Sequence, residues 1–342
     1  MTRNKTLAGL LAAALVTLVA HAAGGVPLNP DHPDRYVVKR GDTLWDIAER
    51  FLRDPWLWPE VWHINPQIEN PHLIYPGDVI SLVYLDGKPR LVLRRGRPTV
   101  RLSPRVRERP LAEAIPTIPL DAIRPFLSRP RVLDEAAFER AAYIVASADE
   151  HLIAGSGDRV YARGIGEGPG ARFAVLRRSQ LYRDPDTGEV LGVEAIHVAD
   201  ARVQRGGDPA TLVLERSTRE ALVGDRLFPV DESPYTDNFF PRAPDRPVEG
   251  RIIAVFDGVS RIGQYQVVVL NRGEREGMAP GHVLAVYQAG ETVRDPVRRE
   301  KVTLPEERAG VVMVFRTFDR VSYALVMKAT RAIRVLDRVR NP

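Results

Sequence analysis

The chain has 342 residues, a formal net charge of +5, 44% apolar residues and no cysteine. The absence of thiols excludes disulfides, thiolate metal sites and any cysteine nucleophile, so the core must hold by packing alone. The length admits two or three compact domains.

Residues 1–22 carry Arg3 and Lys5, an apolar run from Leu7 to Ala20, and Ala20-His21-Ala22. A basic start, a short apolar stretch and small residues before a cut read as a secretory signal peptide cleaved near Ala22. The run is too short to cross a bilayer comfortably, and no cysteine follows it to carry a lipid. The expectation is an exported chain in the periplasm of a Gram-negative envelope, opening with a leader over residues 23–35.

Residues 36–85 hold all four tryptophans, Trp45, Trp56, Trp58 and Trp62. Tyr36–Lys39 reads as a short strand closed by Arg40-Gly41-Asp42. Asp42 or Thr43 can cap a helix whose apolar residues Leu44, Ile47, Ala48 and Phe51 share one face. Pro59 is placed for the first turn of a second short helix, Glu60–Ile64, which Asn65-Pro66 ends. Tyr75-Pro76-Gly77-Asp78 is a turn, and Val79–Val83 returns as a strand. The order is strand, helix, helix, strand.

This pattern resembles the LysM domain, a βααβ module that binds the N-acetylglucosamine-containing glycan of peptidoglycan or chitin. The likeness rests on Tyr36-x-Val38, Gly41-Asp42-Thr43-Leu44-Trp45-x-Ile47-Ala48, Asn65-Pro66 and Ile74-Tyr75-Pro76-Gly77-Asp78. Leu52–Trp58 departs from it, with a longer connection and extra tryptophans. The resemblance implies a shallow groove with Gly41, Asp42, Thr43 and Leu44 on one side. Asn65, Pro66, Ile68, Ile74 and Tyr75 form the other side. Backbone amides and carbonyls there suit N-acetyl and hydroxyl groups, and an apolar wall suits the acetyl methyl. Leu44, Trp45, Ile47 and Ile74 also suit a core. Trp56, Trp58 and Trp62 suit either core closure or stacking on sugars.

Residues 86–131 form an extended, basic, proline-rich linker, with twelve Lys and Arg against four acids, or +8. It opens on a hairpin turning at Asp86-Gly87, runs out through Arg94–Arg109, and contains a short helix over Leu120–Leu127. Spaced prolines keep such a segment stretched. Its charge suits anionic envelope polymers, an acidic partner or plain solvation. Nucleic acid fits poorly, because the charge lies on a linker of an exported chain.

Beyond it the chain is strand-rich, in modules over 132–230 and 250–342 joined by a connector at 231–249. Strands are expected at 143–145, 173–176, 190–193 and 211–214, then at 251–256, 265–270, 283–287, 310–315 and 322–327. The two modules align with each other. Phe173–Pro185 lies over Leu284–Pro296 without a gap, and Ala210–Leu227 lies over Ser322–Val339. The second alignment shares Thr-Arg (218–219 with 330–331) and Asp-Arg (225–226 with 337–338). A duplicated β-rich module explains this better than one irregular domain. The fold class expected is therefore multidomain α+β and mostly β.

No catalytic pattern emerges. His32, His63, His72, His151, His197 and His282 are scattered, with no zinc-type spacing. Gly164–Gly170 is glycine-rich, but lacks the Lys-Ser/Thr and helix of a phosphate loop. The reading is a non-enzyme with no cofactor and no metal. As a whole, the chain resembles the secretin-associated LysM proteins of type IV pili. Their C-terminal region is related to the C-terminal domain of flagellar assembly protein T. That resemblance implies an anchor between peptidoglycan and an outer-membrane secretin. A single weakly binding module is expected to gain its grip from many copies around a ring-shaped partner. A peptidoglycan-remodelling enzyme or its activator, and a flagellar or general envelope scaffold, are the alternatives.

Overall fold

The computed structural model describes residues 26–62, 73–94, 114–128, 131–148, 153–230, 239–256, 262–290 and 292–342. The expected signal peptide, Asn65, Pro66, Ile68 and the basic run at 95–113 lie outside them.

The N-terminal domain contains β1 (Arg35–Val37), α1 (Leu44–Phe51), a 3-10 turn at Pro55–Leu57, α2 (Trp58–Val61), β2 (Val79–Leu85) and β3 (Lys88–Arg94). The three strands form one antiparallel sheet in the order β1-β2-β3. Asp86 and Gly87 join β2 to β3 with φ of 53° and 74°, the left-handed pair a two-residue hairpin needs. In α1 the residues Leu44, Ile47, Ala48 and Phe51 are buried together. The second helix starts earlier than expected, at Trp58, with Pro59 in its first turn where no N–H is required.

Part of the expected linker is not a spacer. Residues 114–118 form no regular element and lead into α3 (Leu120–Ser128), and Ile115, Ile118 and Ile123 are buried. Three isoleucines among the prolines are too apolar to stay solvated. β4 (Arg131–Leu133) and α4 (Glu135–Arg140) follow.

The next six strands are β5 (Ala142–Ser147), β6 (Arg159–Arg163), β7 (Arg172–Arg183), β8 (Val190–Arg205), β9 (Ala210–Ser217) and β10 (Arg226–Pro229). They run round a ring in the order β5-β6-β9-β8-β7-β10, with β4 paired to β8. The second unit has β11 (Glu249–Val255), β12 (Val267–Leu270), β13 (Val283–Gln288), a small hairpin of β14 (Thr292–Arg294) and β15 (Lys301–Thr303), β16 (Glu307–Thr317), β17 (Ser322–Ala329) and β18 (Arg338–Arg340). Its closed barrel runs β11-β12-β17-β16-β13-β18, the same order.

Residues shared by the two units do the same backbone work. Gly170 and Gly281 have φ of +94° and +91°, and their N–H groups donate to Val203 and Val314 carbonyls. Asp225 and Asp337 accept the N–H groups of Leu222 and Arg334, both at 2.8 Å. The N–H groups of Thr218 and Arg219 meet the Val198 carbonyl, as those of Thr330 and Arg331 meet that of Ala309.

The second barrel is apolar inside and out. In β16, Val312 and Val314 line its interior cluster, while Val311, Met313 and Phe315 join an outer one. Tyr323, Leu325 and Met327 of β17 alternate likewise with Ala324 and Val326. This alternation is the two-residue period of a strand buried on both faces. The outer face is covered by Ile118, α3, Trp45 and Trp56 on one flank and by Val132, Tyr182 and Leu191 of the first unit on another.

Candidate functional site

The expected glycan groove has its first wall at the start of α1. Gly41 supplies the positive φ of +92° for the turn after β1. Asp42 is not the helix cap. Its carboxylate accepts the Lys39 N–H at 2.8 Å and the Tyr36 hydroxyl at 3.0 Å, which fixes the turn. Burial, then the Asp42 carboxylate, pushes the Tyr36 hydroxyl pKa up.

Thr43 is the cap. Its Oγ1 accepts the Asp46 N–H at 3.1 Å while Asp46 Oδ2 accepts the Thr43 N–H at 3.2 Å, a reciprocal capping box. A capped helix still leaves the amides of its first two residues without an internal partner. Here those are Leu44 and Trp45. They donate to the carbonyls of Pro116 and Thr117 at 3.0 and 3.1 Å.

The second wall is built by the turn before β2. Gly77 N–H donates to the Val38 carbonyl at 2.8 Å, and Val38 N–H to the Asp78 carbonyl at 2.9 Å, so the two loops are stitched side by side. Asp78 also accepts the Tyr75 N–H at 3.0 Å. Ile74 is fully buried, and its carbonyl accepts the Ile115 N–H at 2.8 Å.

Of the expected site residues, Gly41, Asp42, Thr43, Leu44, Ile74 and Tyr75 lie around this groove. Leu44, Thr43 and Ile74 are buried, Tyr75 and Asp42 half-buried, and Gly41 exposed. Between the two walls runs Ala114–Ile118, a segment expected in the linker. Ile115 and Ile118, bracketing Pro116 in a basic stretch, were its only sequence signal.

The tryptophans close cores and dock the domain. Trp58 is buried and meets Trp62 edge-on at 5.9 Å and Phe240 at 6.3 Å. Trp45 and Trp56 pack into the apolar cluster on the outside of the second barrel. Polar contacts reinforce this seam. Tyr265 Oη donates to Asp46 Oδ1 at 3.1 Å, Lys328 pairs with Glu49, and Arg308 lies 3.8 Å from Asp54. Burial, then Asp46, pushes the Tyr265 pKa up to about 12. The domain is therefore seated on the second barrel, contrary to the picture of a module on an extended linker. Among the described residues there is no cluster of His and acidic side chains arranged to hold a metal.

Residues 36–83 match the family model of the LysM domain. An uncharacterized protein of Bacillus subtilis (strain 168), YqbP, is 37% identical over 60 residues, covering 15% of this chain and 27% of its own length. The match spans about a quarter of that relative. The chain thus carries a LysM domain, a module associated with binding peptidoglycan glycan.

Proposed function

We propose that this protein is a non-catalytic peptidoglycan-binding anchor that tethers an outer-membrane secretin of the type IV pilus machinery to the cell wall from the periplasm. The LysM domain engages N-acetylglucosamine-containing glycan. The C-terminal part, two copies of one β module, engages the secretin. The observation that carries this reading is the LysM domain itself, fused to a strand-rich part in which two units repeat one strand order. The identical strand order and the shared turn residues support the duplication.

Single LysM modules bind modestly, so several copies around a ring-shaped partner would multiply the grip through effective concentration. The test is sedimentation of the full chain with purified sacculi, competed by soluble chito-oligosaccharide, together with co-purification of secretin by the full chain. Full-length protein is the right reagent, because removing the LysM domain would bare the apolar face that Trp45 and Trp56 cover. Sedimentation that is relieved by the sugar, with no muropeptide release, supports the anchor. Glycan cleavage by the pure chain would replace it with an enzyme.

A further inference from the structure

Backbone donors and an acceptor beside the expected groove are already taken by the protein's own chain. Leu44 N–H, Trp45 N–H and the Ile74 carbonyl face the cleft between the two stitched loops. All three are bonded to Ile115, Pro116 and Thr117, at 2.8 to 3.1 Å. The segment is held from behind as well. Thr117 Oγ1 accepts the Phe239 N–H at 3.3 Å. Ile118 is fully buried among side chains of the second barrel, while Ile115 packs into the LysM core.

A peptide can mimic an N-acetyl sugar here for a simple reason. Both present amide carbonyls and N–H groups beside small apolar groups, and Pro116, which lacks an N–H, leaves only its carbonyl to be matched.

We infer that Ala114–Ile118 is a resident occupant of the glycan groove, and that glycan enters only as this strap leaves. The inference rests on the reading of the groove as the glycan site. It makes the LysM domain self-occluded. Because the same strap runs into Ile118 and α3 on the second barrel, it also links groove opening to the seat between domain and barrel. A strap seated about ten times as often as not weakens apparent affinity about tenfold.

The test is amide hydrogen exchange on the full wild-type chain with and without chitopentaose. Sugar at saturation should speed exchange of the Ile115 N–H about tenfold or more, while the Leu44 and Trp45 amides stay protected by the new ligand. In parallel, Ile115→Asp should lower the half-saturation point for sacculus sedimentation by about tenfold, as expected from releasing an occupied state. If sugar binds and the Ile115 amide exchanges as before, the strap does not compete and the inference is overturned while the glycan site stands. If neither wild type nor Ile115→Asp binds sacculi or chitopentaose, the glycan reading itself fails and takes the strap with it. The exchange measurement needs no variant, so poor folding of Ile115→Asp cannot hide the answer.

Discussion

At the scale of single residues, the capping box and the buried carboxylates make separable demands. Replacing Thr43 by Ala removes the acceptor for the Asp46 N–H and should cost about 1 kcal/mol. Thr43→Ser should recover most of that, read by denaturant unfolding. Glu194 sits 4% exposed on β8. Burial pushes its pKa up, and bonds from Ser179, Gln180 and Tyr182 offset that only in part. A raised folded-state pKa gives a contribution present below the unfolded value and lost as pH rises through the folded one. Glu194→Gln should therefore gain stability relative to wild type as pH climbs from 4 to 7, measured by urea midpoints; a pH-independent difference would refute this. Asp184 behaves oppositely. Burial would raise its pKa, but the Asp186 and Thr187 amides, Asn271 and Arg272 hold it below the ordinary range. Its contribution is present above the unfolded value and fades as pH falls through the folded one.

At the scale of elements, one turn is used twice with different consequences. Asp184 Oδ1 accepts the amides of Asp186 and Thr187, as Asp295 Oδ1 accepts those of Val297 and Arg298. Among the described residues, only the first turn is a joint. Asp184 Oδ2 accepts from the buried Asn271 at 2.8 Å, Arg251 meets Asp186, and Arg320 meets Glu189. Asp184→Ala strands a buried amide and should cost about 2 kcal/mol or more. Asp295→Ala, half-buried at a protruding hairpin, should cost less than about 1 kcal/mol. Paired thermal or chemical unfolding separates the two, and equal losses would refute the distinction. The strands richest in Val and Leu were legible because both faces are buried. β7 and β8, twelve and sixteen residues long, show in the sequence only as four-residue pieces, since register shifts at Val175/Leu176 and Arg178/Leu181 break the alternation. Short β6, β10 and β18, such as Arg338–Arg340, carry too few residues for any period to appear. The LysM loops were legible from four spaced motifs. The strap was barely legible, because it is held by backbone bonds and its side-chain mark is limited to Ile115 and Ile118.

At the scale of the whole molecule, the LysM domain and the second barrel share one cluster that includes Trp45, Ile118, Ile123, Met313 and Tyr323. They should unfold as a unit. Trp45→Ala should remove about 3–5 kcal/mol and lower the transition of both, followed by calorimetry and by exchange at β16 and β17 amides. Independent melting of the LysM domain would overturn the shared core. The spatial order of the parts also differs from their order along the chain. Although residues 132–230 follow the LysM domain in sequence, its described seam is with residues 239–342, and the first unit joins those residues through the Asp184 turn and Tyr182. A tug between the first unit and a glycan strand would load the Asn271–Asp184 joint and the Trp45 seat, both of them noncovalent. These two contacts would then act as mechanical fuses, with a breaking load set by side-chain packing.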